Sequence, residues 1–225
     1  MTDETPPLID EPVALGRYQL EVSEEGVFSY QSIVGHDSIR ILTLNPSHDP
    51  ASRLSGRLTI ESLDTAEPYD TISYVWGAPV RTQSIYLDGP SGSSPLPLTT
   101  SIHGALRRLR FPERSRRLWA DQVCINQDDV AERSRQVRLM NRIYRGAAQV
   151  LVWLGEDNDG VAEEAATMIE RLASVFRDEK QMEVFRREHV SELAQRKTSE
   201  WEPLARLTKL PWVSGGYKSS PSGQH

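Results

Sequence analysis

The chain has 225 residues, 38% hydrophobic and 26% charged, which supplies one ordinary globular core and excludes wholesale disorder. A formal net charge of -6 gives no global attraction to nucleic acid or anionic lipid, and the single cysteine, Cys124, excludes an intrachain disulfide, a cysteine-based zinc cluster and an iron–sulfur site. No stretch approaches the roughly 18 apolar residues of a membrane-crossing helix, so a protein of the reducing cytoplasm, with no membrane span, is expected.

Residues 1–15 read as a disordered leader, because Pro6, Pro7 and Pro12 stand among acids before any apolar period begins. Ile39 to Leu44 is a short strand stopped by Asn45-Pro46, and Leu58 to Leu63 alternates apolar and polar residues as a half-buried strand does. Tyr69 to Gly77, rich in aromatic and β-branched residues and closed by Gly77-Ala78-Pro79, is the first central strand. Ser84 to Asp88 is a further strand, and Gly89 to Pro95 has the composition of a mobile loop. Thr99 or Thr100 then caps a helix that carries Ile102, Ala105, Leu106 and Leu109 on one stripe and ends before Pro112.

Arg117 to Ile125 reads as a second core strand, with Asn126-Gln127-Asp128-Asp129 as turn and helix cap. Helical spacing from Val130 to Ala148 follows, and then the apolar run Gln149 to Gly155, which fits a strand buried on both faces of a parallel sheet. An acidic loop, Glu156 to Gly160, leads into an amphipathic helix from Val161 to about Phe176. Residues 177–200 are highly charged and read either as helix or as a solvated excursion. Leu204, Leu207 and Leu210 resume helical spacing, and residues 213–225 form a tail without core-forming content. Strand and helix alternating from Ile72 to Gly155 predict an α/β domain over residues 16–212, with a central, mostly parallel sheet, flanking helices and N-terminal β additions. No internal repeat is present.

Candidate chemistry is sparse, and each feature has a structural alternative. Asp121 falls at the C-terminal side of a predicted parallel strand, where α/β sheets place ligand-binding groups; it either orients a ribose hydroxyl or caps a turn. Ser73, Tyr74, Trp76 and Gly77 end the other central strand and complete a candidate nucleotide cleft, with Trp76 stacking on a base and Gly77 permitting close backbone approach; the alternative is a core tryptophan before a turn glycine. Cys124 lies inside an apolar strand without a neighbouring histidine, although His103 and His189 are within reach of folding, so it reads as a small core residue rather than a nucleophile. Asn126 to Asp129 with Glu132 lack the glycine and terminal glutamate of a calcium loop and read as helix capping, so no metal is expected. From Ser101 to Val150 the chain holds eleven arginines against five acids. That excess fits a partner's acidic face, a phosphate or a solvated helix face, but without interleaved aromatics it does not predict nucleic-acid binding.

Three blocks in order carry a resemblance: Tyr69 to Gly77 with its Ser73-Tyr74-Val75-Trp76-Gly77 end; Leu118 to Gln127 with Trp119, Asp121, Cys124, Asn126 and Gln127; and Gln136 to Gly155 with Tyr144, Trp153 and Gly155. Together they resemble the fungal heterokaryon incompatibility (HET) domain over residues 39–176, and the Ile39 to Pro46 strand looks like the usual entry to that domain. The resemblance implies a cell-death effector module used in allorecognition when incompatible hyphae fuse, acting through protein partners or self-association. It also implies a distant kinship with TIR domains, whose flavodoxin-like sheet supports cleavage of nicotinamide from NAD by a glutamate in some members and pure scaffolding in others. On that implication NAD is a possible substrate rather than a resident cofactor. A typical HET domain follows its Pro-Trp pair with a phenylalanine, an arginine, a second tryptophan and a Gln-Glu pair that looks like the TIR catalytic block; here Pro211-Trp212 runs into Val213-Ser214-Gly215-Gly216-Tyr217. The expectation is therefore a chain cut short or divergent there, which acts by contact. The alternatives are a NAD-cleaving enzyme in which Glu163 or Glu164 takes over, and a fragment without activity.

Overall fold

The computed structural model describes residues 26, 28–89, 92–177, 179–184, 187 and 201–214. The expected leader over 1–15, most of the charged stretch 177–200 and the tail beyond Ser214 lie outside the described residues.

Among the described residues the protein is an α/β fold built on one seven-stranded sheet, in the order β5-β4-β2-β1-β6-β3-β7. The strands are β1 (Ser38–Leu44), β2 (Leu54–Ser62), β3 (Asp70–Tyr74), β4 (Gln83–Gly89), β5 (Gly92–Leu98), β6 (Arg116–Trp119) and β7 (Gln149–Trp153). Around β3 the sheet is parallel, with β6 on one side and β7 on the other; β1 pairs antiparallel with both β2 and β6. The sheet is therefore mixed, a parallel half that holds the strand ends of interest and a largely antiparallel half that extends it. Parallel neighbours need long crossovers, and these supply helices α1 (Thr100–Leu109), α2 (Asp121–Cys124) and α3 (Val130–Gly146). After β7 come α4 (Ala162–Arg177), α5 (Glu202–Lys209) and α6 (Pro211–Ser214).

The core is one contiguous cluster. Ile39, Ile41, Leu42 and Leu44 of β1, Leu54 of β2, Ile72 of β3, Ile85 and Leu87 of β4, Leu118 and Trp119 of β6 and Ile102, Ala105 and Leu106 of α1 are all buried within it. The expected apolar stripe of α1 is the face that packs. Thr99 occupies the cap position of that helix, but its side chain makes no capping bond; its backbone N–H donates to Gln122 Oε1 at 2.9 Å instead. Close pairing of β1 with β2 requires Gly56, since a Cβ there would stand 2.5 Å from the Thr43 carbonyl oxygen.

Three expectations need correction. The predicted strand Arg117–Ile125 stops at Trp119, and residues 121–124 turn into α2, whose backbone bonds from Cys124 to Ala120 and from Ile125 to Asp121 bury the same apolar side chains in one helical turn. Gly92 to Pro95, expected in a loop, begins β5; proline is tolerated because β5 is the sheet's outer strand, where a missing N–H leaves no ladder partner wanting. The run Gln149–Trp153 is a strand, but not one buried on both faces. It is the opposite outer strand, with Val150 and Val152 47% and 43% exposed. An unbroken apolar run reads the same whether its outer side meets a neighbour or not.

One buried charge pair ties the halves of the fold together. Arg40, on β1 and 2% exposed, reaches Glu132 in the first turn of α3 with Nη1 to Oε1 at 2.5 Å and Nη2 to Oε2 at 2.9 Å. The same guanidinium donates to the backbone carbonyls of Cys124 at 3.1 Å and Gln31 at 2.5 Å and stacks over the Tyr30 ring. Glu132 in turn accepts from the Asn126 N–H at 2.7 Å, and its own N–H is capped by Asp129 at 2.9 Å. The Asn126 to Glu132 segment is thus the helix cap expected of it, with Glu132 turned inward.

Removing one member leaves an uncompensated buried charge. Glu132→Ala is expected to cost about 3–5 kcal/mol in urea denaturation. An Arg40→Met, Glu132→Leu double variant should lose less than the sum of the two single changes, while staying below the parent because Cys124 and Asn126 keep unpaired backbone groups. Strict additivity would mean that the two side chains do not act as a pair.

Candidate functional site

The parallel strands β3, β6 and β7 end on the same side of the sheet, and the residues expected to matter gather there. Asp121 is the first residue of α2, immediately after β6, because the extended Ala120 closes the strand and the next turn is helical. Its carboxylate is fully engaged. Oδ1 accepts from the Tyr74 hydroxyl at 2.7 Å and from the Gln122 N–H at 2.8 Å, and Oδ2 accepts from the Trp76 indole N–H at 2.9 Å. Gln127 closes the arrangement by donating its side-chain amide to the Asp121 backbone carbonyl at 2.7 Å.

These contacts account for the residue types. A tyrosine at the end of β3 and a tryptophan two residues later each present one donor on an apolar body, which suits a partly buried acceptor. Burial raises the Asp121 pKa above the ordinary aspartate value, with the Tyr74, Trp76 and Gln122 donors opposing the rise. Burial and the neighbouring carboxyl push the Tyr74 hydroxyl well above its usual value, so it remains a donor. The backbone beyond them is open: Gly77 has φ +72° with nothing near the place of a Cβ, and Gly155, after β7, has φ +112°.

Other singled-out residues take structural posts. Ser73 is buried on β3 and accepts from the Trp212 indole N–H at 3.1 Å, a contact from α6 that nothing in the local sequence signals. Trp119 is fully buried and meets the Tyr144 ring edge to face at 5.9 Å; Tyr144 also donates to the Ile72 carbonyl at 3.3 Å. Trp153 ends β7 in register with Tyr74 and packs at Gly104 of α1, where an added Cβ would lie 3.4 Å from its ring. Cys124 is buried, its thiol pushed up to about 12 by desolvation, and no hydrogen bond links it to His103. His103, whose own pKa is lowered by burial and by Arg107 and Arg110, faces Glu156; His189 lies outside the described residues. Glu163 and Glu164 occupy the exposed first turn of α4 and join no hydrogen bond to the Asp121 group. Among the described residues, no three His, Cys, Asp or Glu side chains converge as a metal site would require. The Arg40–Glu132 pair was not legible as a site; its one signal is an arginine inside an otherwise apolar strand.

The sequence profile described as "Heterokaryon incompatibility protein (HET)" matches residues 69–216, from β3 through α6. A curated relative, "Heterokaryon incompatibility protein 6, OR allele" of Neurospora crassa, is 40% identical over 146 residues. The match covers 60% of this chain and 22% of the relative, so the chain spans only about a fifth of that protein. No solved structure matches the chain.

Truncating the carboxylate that three donors share should strand the Tyr74 hydroxyl and the Trp76 N–H. Asp121→Ala is expected to destabilise by about 1–3 kcal/mol, with Asp121→Asn less severe because its amide oxygen still accepts from Tyr74. The pH dependence has a fixed sign. A native pKa raised above the unfolded value means that the folded state holds the proton longer, so this group's contribution to stability falls as pH rises from about 4 through its native value. The stability difference between parent and Asp121→Asn, from denaturant melts at several pH values, should therefore shift against the parent as pH rises. A difference constant with pH would show that the native carboxyl titrates as in the unfolded chain.

Proposed function

The chain belongs to the heterokaryon incompatibility (HET) family, and from that premise we propose that it serves as a signalling module of fungal allorecognition and programmed cell death, working by self-association or by docking a partner protein. The observation that carries the contact reading is the outer face of α3. Arg135, Arg138, Arg142 and Arg145 recur at spacings of three, four and three, which aligns them in one stripe of that helix, and all four are exposed. Arg142 bridges to Asp37 and Asp64, whereas no acid among the described residues pairs with Arg135, Arg138 or Arg145. A row of exposed arginines suits an acidic partner face, because the planar guanidinium forms bidentate bonds to carboxylates at modest desolvation cost.

The cleft supports the same reading. Asp121, the acid at the strand ends, spends both oxygens on internal donors, so in this arrangement its carboxylate positions β3 against α2. The alternative, NAD cleavage, requires an acid free to act in that cleft, and Glu163 and Glu164 stand on the exposed turn of α4 instead.

Expression of the chain in a filamentous fungus is expected to arrest growth, and an Arg135→Glu, Arg138→Glu variant is expected to relieve the arrest without loss of folded protein. Nicotinamide release by the purified parent should not exceed the background of the Asp121→Ala variant. Turnover of NAD well above that background would replace the contact reading with the enzymatic one.

A further inference from the structure

The two outer strands of the sheet are built differently. β5 carries Pro95 and Pro97, and Phe28 donates its N–H to the Pro95 carbonyl at 3.1 Å, so that edge is both broken by proline and partly covered. β7, Gln149-Val150-Leu151-Val152-Trp153, has no proline, no glycine and no charge. Among the described residues it pairs only with β3. Val150 and Val152 stand in register with Thr71 and Ser73 and so share one face of the sheet, on which both remain nearly half exposed. An uncharged, β-branched edge of this kind is a template for another strand.

The sequence and the surrounding charges identify the strand that fits. Val-Leu-Val is palindromic about Leu151. In an antiparallel pair centred there, Leu151 faces Leu151 of a second copy, and each Val150 faces a Val152, giving a four-valine patch of close cross-strand pairs. The ends of β7 differ in sign. Just before its N-terminal end in the chain stands exposed Arg145, and just after its C-terminal end stands exposed Glu156, neither paired among the described residues; Arg142 is taken by Asp37 and Asp64, Asp157 caps the start of α4, and Asp159 lies 3.9 Å from Arg206. Antiparallel pairing brings the basic end of each copy against the acidic end of the other, twice, whereas parallel pairing would set like charges side by side. We propose that a second copy of this chain docks on β7, forming a two-fold dimer whose sheets run on through antiparallel β7–β7 pairing centred on Leu151. This isologous contact closes on itself and uses up both open edges. It deepens the contact reading above, from which it takes only that the chain self-associates.

The test is the mass of the intact chain in solution. Sedimentation equilibrium should show monomer converting to dimer at about micromolar concentrations, as expected for a small interface. Val150→Lys and Val152→Lys place charge on exposed positions and should leave the melt unchanged while weakening association at least about 100-fold, each lysine then facing a valine across the pair. Arg145→Glu and Glu156→Arg should each weaken it about tenfold at low salt, and the double exchange should restore it. A parent that stays monomeric at about 200 µM, far above the interval expected for such an interface, overturns the dimer, while docking of another partner through α3 stays open to the growth assay. A dimer indifferent to both lysine variants also overturns the β7 assignment and leaves self-association standing through another face.

Discussion

The buried Arg40–Glu132 pair is the constraint on which the arrangement of this protein rests. Two charges withdrawn from water are tolerable only when most of their remaining donors and acceptors are met; here Nη1 and Nη2 of Arg40 find partners from separate parts of the chain, and only its buried Nε has none. The guanidinium reaches the carbonyls of Gln31 and Cys124, and the carboxylate takes the Asn126 N–H. Satisfying that one pair therefore fixes the position of α2, the start of α3 and the segment before β1 relative to the middle of the sheet. The apolar core alone would leave α3 free to slide along its packing face, since hydrophobic burial has no direction.

From this anchor the strand ends follow. α2 is held at its C-terminal end by Arg40 through the Cys124 carbonyl and at its first residue by Tyr74 and Trp76 through Asp121. The short helix is pinned at both ends, which accounts for the residue types from Trp119 to Gln127 of this chain. Trp119 is core, Asp121 ties to β3, Cys124 offers its carbonyl rather than its thiol, Asn126 starts the cap that delivers Glu132, and Gln127 returns to Asp121. A cysteine in such a motif invites a reading as a nucleophile. In this fold the thiol is buried, which pushes it up to about 12, and the backbone oxygen accepts from Arg40.

Much of this was legible in the residues. Alternating strand and helix from Ile72 to Gly155 announced the α/β layer, and the apolar stripe of α1 and the capping of α3 by Asp129 were read from local pattern because both depend on local geometry. Two of the errors share one physical origin, which is that hydrophobicity records burial and not the element that achieves it. Val123, Cys124 and Ile125 are buried as a strand would bury them, yet a single helical turn does it. The same indifference hid the outer position of β7. β5 was hidden for the opposite reason, since its serines and prolines are turn formers whose use in an edge strand depends on the neighbour β4. The Trp212 to Ser73 bond, 139 residues apart in sequence, leaves no local trace, and the Arg40 to Glu132 pair, 92 apart, leaves only an arginine inside an apolar strand.

The open edge and the hydrogen-bonded cluster are not independent features. β3 is the only strand between β7 and β6, and it carries Tyr74 at its end in register with Trp153 of β7. Its other face holds Ser73 in register with Val152, under the Trp212 indole. Any contact that fixes the twist of β7 therefore acts on β3 through the ladder, and the next rigid objects it meets are the Tyr74 hydroxyl and the Asp121 carboxylate. With three internal donors already bound, that carboxylate has little freedom to absorb a shift of the strand except by moving α2. Because α2 is held at its far end by the buried guanidinium, the strain has nowhere to dissipate locally. The layout couples the β7 edge, through β3, to a strand end held by three hydrogen bonds.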